Sequence, residues 1–158
     1  MKRTLILILA GMLVLSACGA GGEGVEVHEP WARAAMMGGN SAAYMTIHNY
    51  MDTDDAVIGA SSDVAEAVEL HLSQMDADGV MQMMQQEKFD LPAGGELELK
   101  PGSYHIMLIG LKQDLMAGDE INITLHFQNS EDLTLTVPVQ DAADMGGSGM
   151  DGEMEHDH

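Results

Sequence analysis

INITLHFQNSEDLTLTVPV, residues 121–139, is the stretch that decides the fold. Ile121, Ile123, Leu125 and Phe127 alternate with Asn122, Thr124, His126 and Gln128, and beyond Asn129-Ser130 the residues Leu133, Leu135, Val137 and Val139 alternate with Thr134, Thr136 and Pro138. An apolar side chain at every second position is the period of a strand with one face buried and the other wet. Asn and Ser between two such runs supply turn chemistry, so the stretch predicts two strands joined by a turn. The same period recurs upstream in Ala43, Met45 and Ile47 and in Val68, Leu70 and Leu72. Asp76-Ala77-Asp78-Gly79, Pro92-Ala93-Gly94-Gly95 and Pro101-Gly102 punctuate the remainder. No amphipathic helix of about ten residues or more emerges, and only Ser62–Ala67 allows a single turn of helix. These patterns predict one all-β sandwich or barrel over residues 25–140, without internal repeats.

Charge narrows the partners. Against 26 Asp and Glu stand six Lys and Arg, a formal charge of −20. Losing Lys2 and Arg3 with a leader takes it from −20 to −22. Such a surface repels phosphate backbones and anionic lipid, which argues against nucleic-acid binding and for a cationic cargo. MKRTLILILAGMLVLSAC at 1–18 has a basic start and an apolar run from Leu5 to Leu15, shorter than the roughly 20 residues of a membrane-spanning helix. It reads as a signal peptide over 1–17, and Leu15-Ser16-Ala17-Cys18 resembles the lipobox of bacterial lipoproteins, with Cys18 as the lipidated residue. The expected location is extracytoplasmic, lipid-anchored to the cell envelope, on the periplasmic or outer face of the cytoplasmic membrane. GAGGEG at 19–24 extends the tether that begins at Cys18. Since Cys18 is the only cysteine, an intramolecular disulfide, CxxC redox chemistry, a cysteine zinc site and a blue-copper thiolate centre are all excluded.

Fifteen methionines in a chain with one Trp, three Tyr and two Phe make methionine placement informative. In ELHLSQMDADGVMQMMQQEKFDLPAGGELELKPGSYHIMLIGLK, residues 69–112, His71 precedes Met83 by twelve positions, and His105 is followed at two positions by Met107. Strand parity sets His71 opposite Leu70 and Leu72 on the wet face, puts Met81 and Met83 on one face of the next strand, and sends His105 and Met107 to one side of a third. Asp78-Gly79 suits a hairpin between the first two. If those strands are neighbours, His71, Met83, His105 and Met107 reach a common point. Two imidazoles with two thioethers form a soft donor set that favours Cu(I) over zinc, calcium or magnesium. Taken singly, each Met or His reads more plainly as packing or as a solvated polar group. Met81 is a possible secondary ligand, Met84 is expected to face inward, His28, His48 and His126 read as surface residues, and Trp31 reads as a core anchor.

The spacing His71, Met83, His105-x-Met107 resembles the metal-binding signature of the PCuAC copper chaperones of the bacterial periplasm. PWARAAMMGGNSAAYMTIHN at 30–49 and LPAGGELELKPGSYHIMLIGLK at 91–112 are similar to that family's sequence blocks. The resemblance implies a cupredoxin-like Greek-key β-sandwich or barrel holding one Cu(I) through His71, Met83, His105 and Met107. It further implies delivery to the CuA centre of cytochrome c oxidase, with the CuA-bearing subunit or another copper-assembly protein as partner. Leu72 stands where some members of the family carry Met.

The segment 141–158, acidic and without apolar periodicity, is expected to be a disordered tail. It carries Met145, Met150, Met154, His156 and His158, further candidate ligands, the thioethers for Cu(I) and the His156-Asp157-His158 end for Cu(II). A purely solubilising tail is the other reading. No nucleophile with a base and a substrate pocket can be named, so no catalysis is expected. Beside the copper carrier stand two alternatives: a copper-sequestering resistance lipoprotein, and a structural or adhesive surface β-sandwich in which the methionines only pack.

Overall fold

A computed structural model describes residues 24–141. The leader, Cys18, and Met145, Met150, Met154, His156 and His158 of the tail lie outside the described residues. Ten strands follow one another: β1 (Val25–Arg33), β2 (Ser41–Asn49), β3 (Asp55–Ser61), β4 (Ala65–Met75), β5 (Met81–Gln86), β6 (Phe89–Leu91), β7 (Glu96–Leu99), β8 (Tyr104–Leu111), β9 (Glu120–Phe127) and β10 (Leu133–Gln140). The described residues contain no helix. Ser62–Ala67, the one segment with room for a helical turn, instead breaks at a turn and enters β4 at Ala65.

The hydrogen-bonded order is β5-β4-β8-β2-β1-β10-β9-β3-β6, with β7 also paired to β2. Every named pairing is antiparallel except β1 with β10, where Ala32 faces Val139 and Arg33 faces Gln140. That short parallel contact joins β5-β4-β8-β2-β1 to β10-β9-β3-β6. The inward alternates of both halves close one core: Ile47, Val57, Phe89, Leu91, Ile106, Leu108, Ile123, Leu125 and Val137 are fully buried. Ile121, Ile123, Leu125 and Phe127 are all buried along β9, as their period requires.

Two local devices set the geometry near the site. In β1 the register steps from His28 opposite Thr46 to Trp31 opposite Tyr44, so Glu29 and Pro30 together oppose Met45. Glu29 takes φ 49, the left-handed conformation that lets the extra residue fit. Between β4 and β5, Gly79 turns at φ 80 while Asp76 Oδ1 accepts the N–H groups of Asp78 and Val80. The hairpin expected at Asp78-Gly79 therefore forms, and it leaves β5 as an edge strand.

Asp55 ties β3 to the β9–β10 turn. Burial alone would raise its carboxyl, but the hydroxyl of Ser130 and the backbone N–H groups of Ala56, Asn129 and Ser130 all donate to it and hold it below the usual carboxylate range. Asp55→Asn should lower the unfolding free energy at pH 7 by about 1–3 kcal/mol in chemical denaturation. A group held low stabilises the fold above its unfolded pKa and loses that contribution as the pH falls through its folded value, so the gap must close in acid. A gap independent of pH would assign the loss to packing instead.

Candidate metal centre

β4 and β8 pair so that His71 stands directly opposite His105. Leu70 and Ile106, one residue away on each strand, point into the core, so both imidazoles occupy the other face. Their ring centroids are 5.7 Å apart. The row continues across the sheet: Tyr44 lies 6.3 Å from His105, and Trp31 lies 4.5 Å from Tyr44. Four rings from β1, β2, β8 and β4 thus shield one another. The face expected to be wet is in large part closed, with His105 only 3% exposed and Tyr44 buried. Trp31, expected in the core, packs half-buried at the far end of this row because the β1 bulge turns it outward.

The hydrogen bonds fix where the imidazole protons sit. The carbonyl oxygen of Ser103 can only accept, so His105 Nδ1 donates to it at 3.0 Å, and the same oxygen receives the Ser73 N–H at 3.0 Å. Nε2 of a neutral His105 then carries the free lone pair. Burial holds the His105 pKa below its ordinary value; the Ser103 bond pulls the other way, and the charges of His71 and Arg33 add to the lowering. On His71 the polarity is reversed: Nε2 donates to Glu69 Oε2 at 2.8 Å, and Nδ1 is buried without any partner. A buried nitrogen lacking a partner is costly in a finished fold and is what a metal ligand looks like before its metal arrives. The carboxylate behind it orients the ring.

Register also places the thioethers. Met107 pairs with Glu69 and Met83 with Ser73, each two residues along from the imidazole row, but in opposite directions. All four predicted ligands thus share one face of β5-β4-β8. Ladder spacing nevertheless puts the Met83 and Met107 Cα atoms roughly 15 Å apart. With metal–sulfur bonds of about 2.3 Å, both sulfurs meet one ion only if the β4–β5 hairpin curls inward. Met81 reaches across β4, its methyl lying 4.0 Å from where a Cβ on Gly102 would sit. Met83 itself is 53% exposed. Met84 takes the opposite face from Met83, as parity requires, yet it is exposed rather than buried because the core does not extend beneath the edge strand.

Among the described residues, no group of three or more His, Cys, Asp or Glu side chains is arranged to hold a metal ion. His28 and His48 stack edge to face at 4.9 Å, each near a carboxylate. His126 bridges Ser61 and Asp132 on the exposed side of β9. Glu69 and Ser103, which set the two tautomers, were not singled out from the sequence. Glu69 was legible, being two residues from His71 on a strand and so on its face, whereas the Ser103 contact is made by a backbone carbonyl and leaves no side-chain signal.

The model of the LpqE-like family, described as "Putative lipoprotein LpqE-like", matches residues 25–139. "Putative lipoprotein Lxx21020" of Leifsonia xyli subsp. xyli (strain CTCB07) is 38% identical over 120 residues, covering 75% of this chain and 71% of that one. The solution structure of CuI-DR1885 from Deinococcus radiodurans superposes with a TM-score of 0.60 and 29% identity, covering 80% of this chain and 86% of that one. The copper-bound PCuAC domain from PmoF2 gives a TM-score of 0.63 at 24% identity, covering 77% and 96%. The cupredoxin-like β fold implied by the sequence resemblance is therefore the fold observed.

In the metal-free protein, NMR titration should find His105 protonating below the ordinary pH 6.5. The unfolded chain then takes up a proton near pH 6.5 that the folded chain refuses, so thermal stability should begin to fall as the pH drops through that value. A His105 titrating at or above 6.5 would remove burial as the governing influence.

Proposed function

The chain belongs to the LpqE-like family, and from that footing we propose that it is an extracytoplasmic, lipid-anchored Cu(I) metallochaperone. The observation that carries this reading is the buried, partnerless Nδ1 of His71 beside the buried imidazole of His105, whose proton is committed to Ser103. Two neutral nitrogens with Met107 on the same face offer a soft site, and Met83 completes it as the hairpin closes. The likeness to a CuI-bearing protein at 29% identity supports the same cargo. Copper is carried, not used for turnover.

Each donor has a part. His71 binds through Nδ1 because Glu69 holds Nε2, and His105 binds through Nε2 because Ser103 holds Nδ1. The rings are fixed by packing and bonds, so little ordering is needed on binding. Thioethers are neutral and weakly held, so Met83 on the exposed edge is the first ligand that an acceptor can displace. The CuA-bearing subunit of cytochrome c oxidase, named by the PCuAC resemblance, is the acceptor we favour. Cys18 carries the lipid, residues 19–24 tether the domain, and the tail adds Met145, Met150, Met154, His156 and His158 as looser copper ligands, with Cu(II) at the histidine end.

Anaerobic titration of the full chain against a chromogenic Cu(I) chelator should find one tightly bound ion. A His105→Ala, Met107→Ala double variant should lose it, and retained tight binding there would remove the proposed centre. Glu69→Gln should weaken the affinity by about tenfold, and an unchanged affinity would deny the carboxylate its orienting part. A sequestering protein would instead bind several ions with similar affinity, most of them lost on truncation after Ala142.

A further inference from the structure

Among the described residues, five of the ten exposed large apolar side chains fall on one hairpin. Met75, Val80, Met81, Met83 and Met84 all lie exposed on the β4–β5 hairpin, at one free edge of the sheet. Edge strands ordinarily carry charge or proline to discourage pairing with another chain. β5 reads MQMMQQ and carries neither. Packing does not explain these methionines, since Met75 is 65% and Met81 51% exposed.

Their register is specific. Met75 pairs directly with Met81 across β4 and β5, and Met83 lies two residues further along β5 on the same face. Directly paired positions have Cβ atoms about 5 Å apart, so three flexible thioethers can converge on one small ion. The carboxylate nearest in sequence, Asp76, is engaged by Val80, Asp78 and Gln82 and holds the turn instead. Successive rows on this face then run from Met75 and Met81 to Ser73 and Met83, and on to His71 and His105. The line starts at exposed methionines and ends at His105, which is 3% exposed.

We propose that Met75, Met81 and Met83 form a second, outer Cu(I) site on the β4–β5 hairpin, through which the ion enters and leaves the imidazole pair. Met83 belongs to both sites, which accounts for its position on the opposite side of the imidazoles from Met107. An ion held by thioethers alone is a soft-metal site, selective for Cu(I) over zinc or calcium. It is weaker than the inner site because it lacks imidazole nitrogen, and it is open to an acceptor. Transfer inward exchanges Met75 and Met81 for His71 and His105 while Met83 stays bound, with no change of oxidation state.

The proposal rests on the Cu(I)-carrier reading, and a Met75→Leu, Met81→Leu double variant of the full chain separates the two. Both positions are exposed and Leu is close to Met in volume, so folding is preserved. The variant should keep the tight ion at wild-type affinity, bind one fewer weakly held Cu(I), and surrender the tight ion to a chelator about tenfold more slowly. In wild-type protein with 13C-methyl methionine, the first equivalent of Cu(I) should shift Met83 and Met107, and the next should shift Met75 and Met81. Met75 and Met81 methyls that stay still, with unchanged transfer rate in the variant, would overturn the outer site and leave the carrier standing. No tight ion in the wild type would overturn the carrier reading itself.

Discussion

The pairing of β4 with β8 is the constraint on which the site depends. Opposed residues in a ladder share a face, so aligning His71 with His105 also aligns Leu70 with Ile106 and Val68 with Leu108 on the core side. A slip of one residue would drive an imidazole into the core and bring an aliphatic side chain out. The burial of Leu70, Ile106 and Leu108 therefore holds the two histidines together, and the proposed metal centre would inherit its precision from hydrophobic packing on the reverse of the same strands.

On the site face the polarity is arranged with equal economy. Each ring uses one nitrogen to anchor itself and keeps the other available, but the anchors differ: a backbone carbonyl for His105 and a carboxylate for His71. Burial keeps protons away from His105, while the charge of Glu69 stands behind His71. The proposed donors are thus a shielded nitrogen pair flanked by the exposed thioether of Met83 and the half-buried one of Met107. That division suits the proposed cargo, which must be held and then released, because the exposed Met83 can exchange without the core being disturbed.

Much of this was legible in the sequence because strand parity is a strict rule. Period two in residues 121–139 and 68–72 predicted the β architecture, and it placed His71, Met83, His105 and Met107 on one face. What parity cannot supply is depth or distance. It does not reveal that Tyr44 and Trp31 extend the imidazole row across the sheet, nor that β5 is an edge where Met84 remains exposed despite its inward phase. It also cannot show that Met83 and Met107 lie on opposite sides of the histidine row, since that depends on which residues pair. Trp31 was misplaced in the core for a related reason: aromatic character says bury, but orientation depends on the β1 bulge.

That bulge amounts to a half-period phase slip in the strand. Before it, odd-numbered Val25 and Val27 face the apolar interior, and after it even-numbered Ala32 does. The two segments are out of step along the chain yet in step across the sheet. One residue at φ 49 thus converts a strand whose alternation looks broken into a continuous surface. It brings His28 and Trp31 onto the same side, so the edge-to-face histidines and the row of rings that ends at His71 share one face of the sheet.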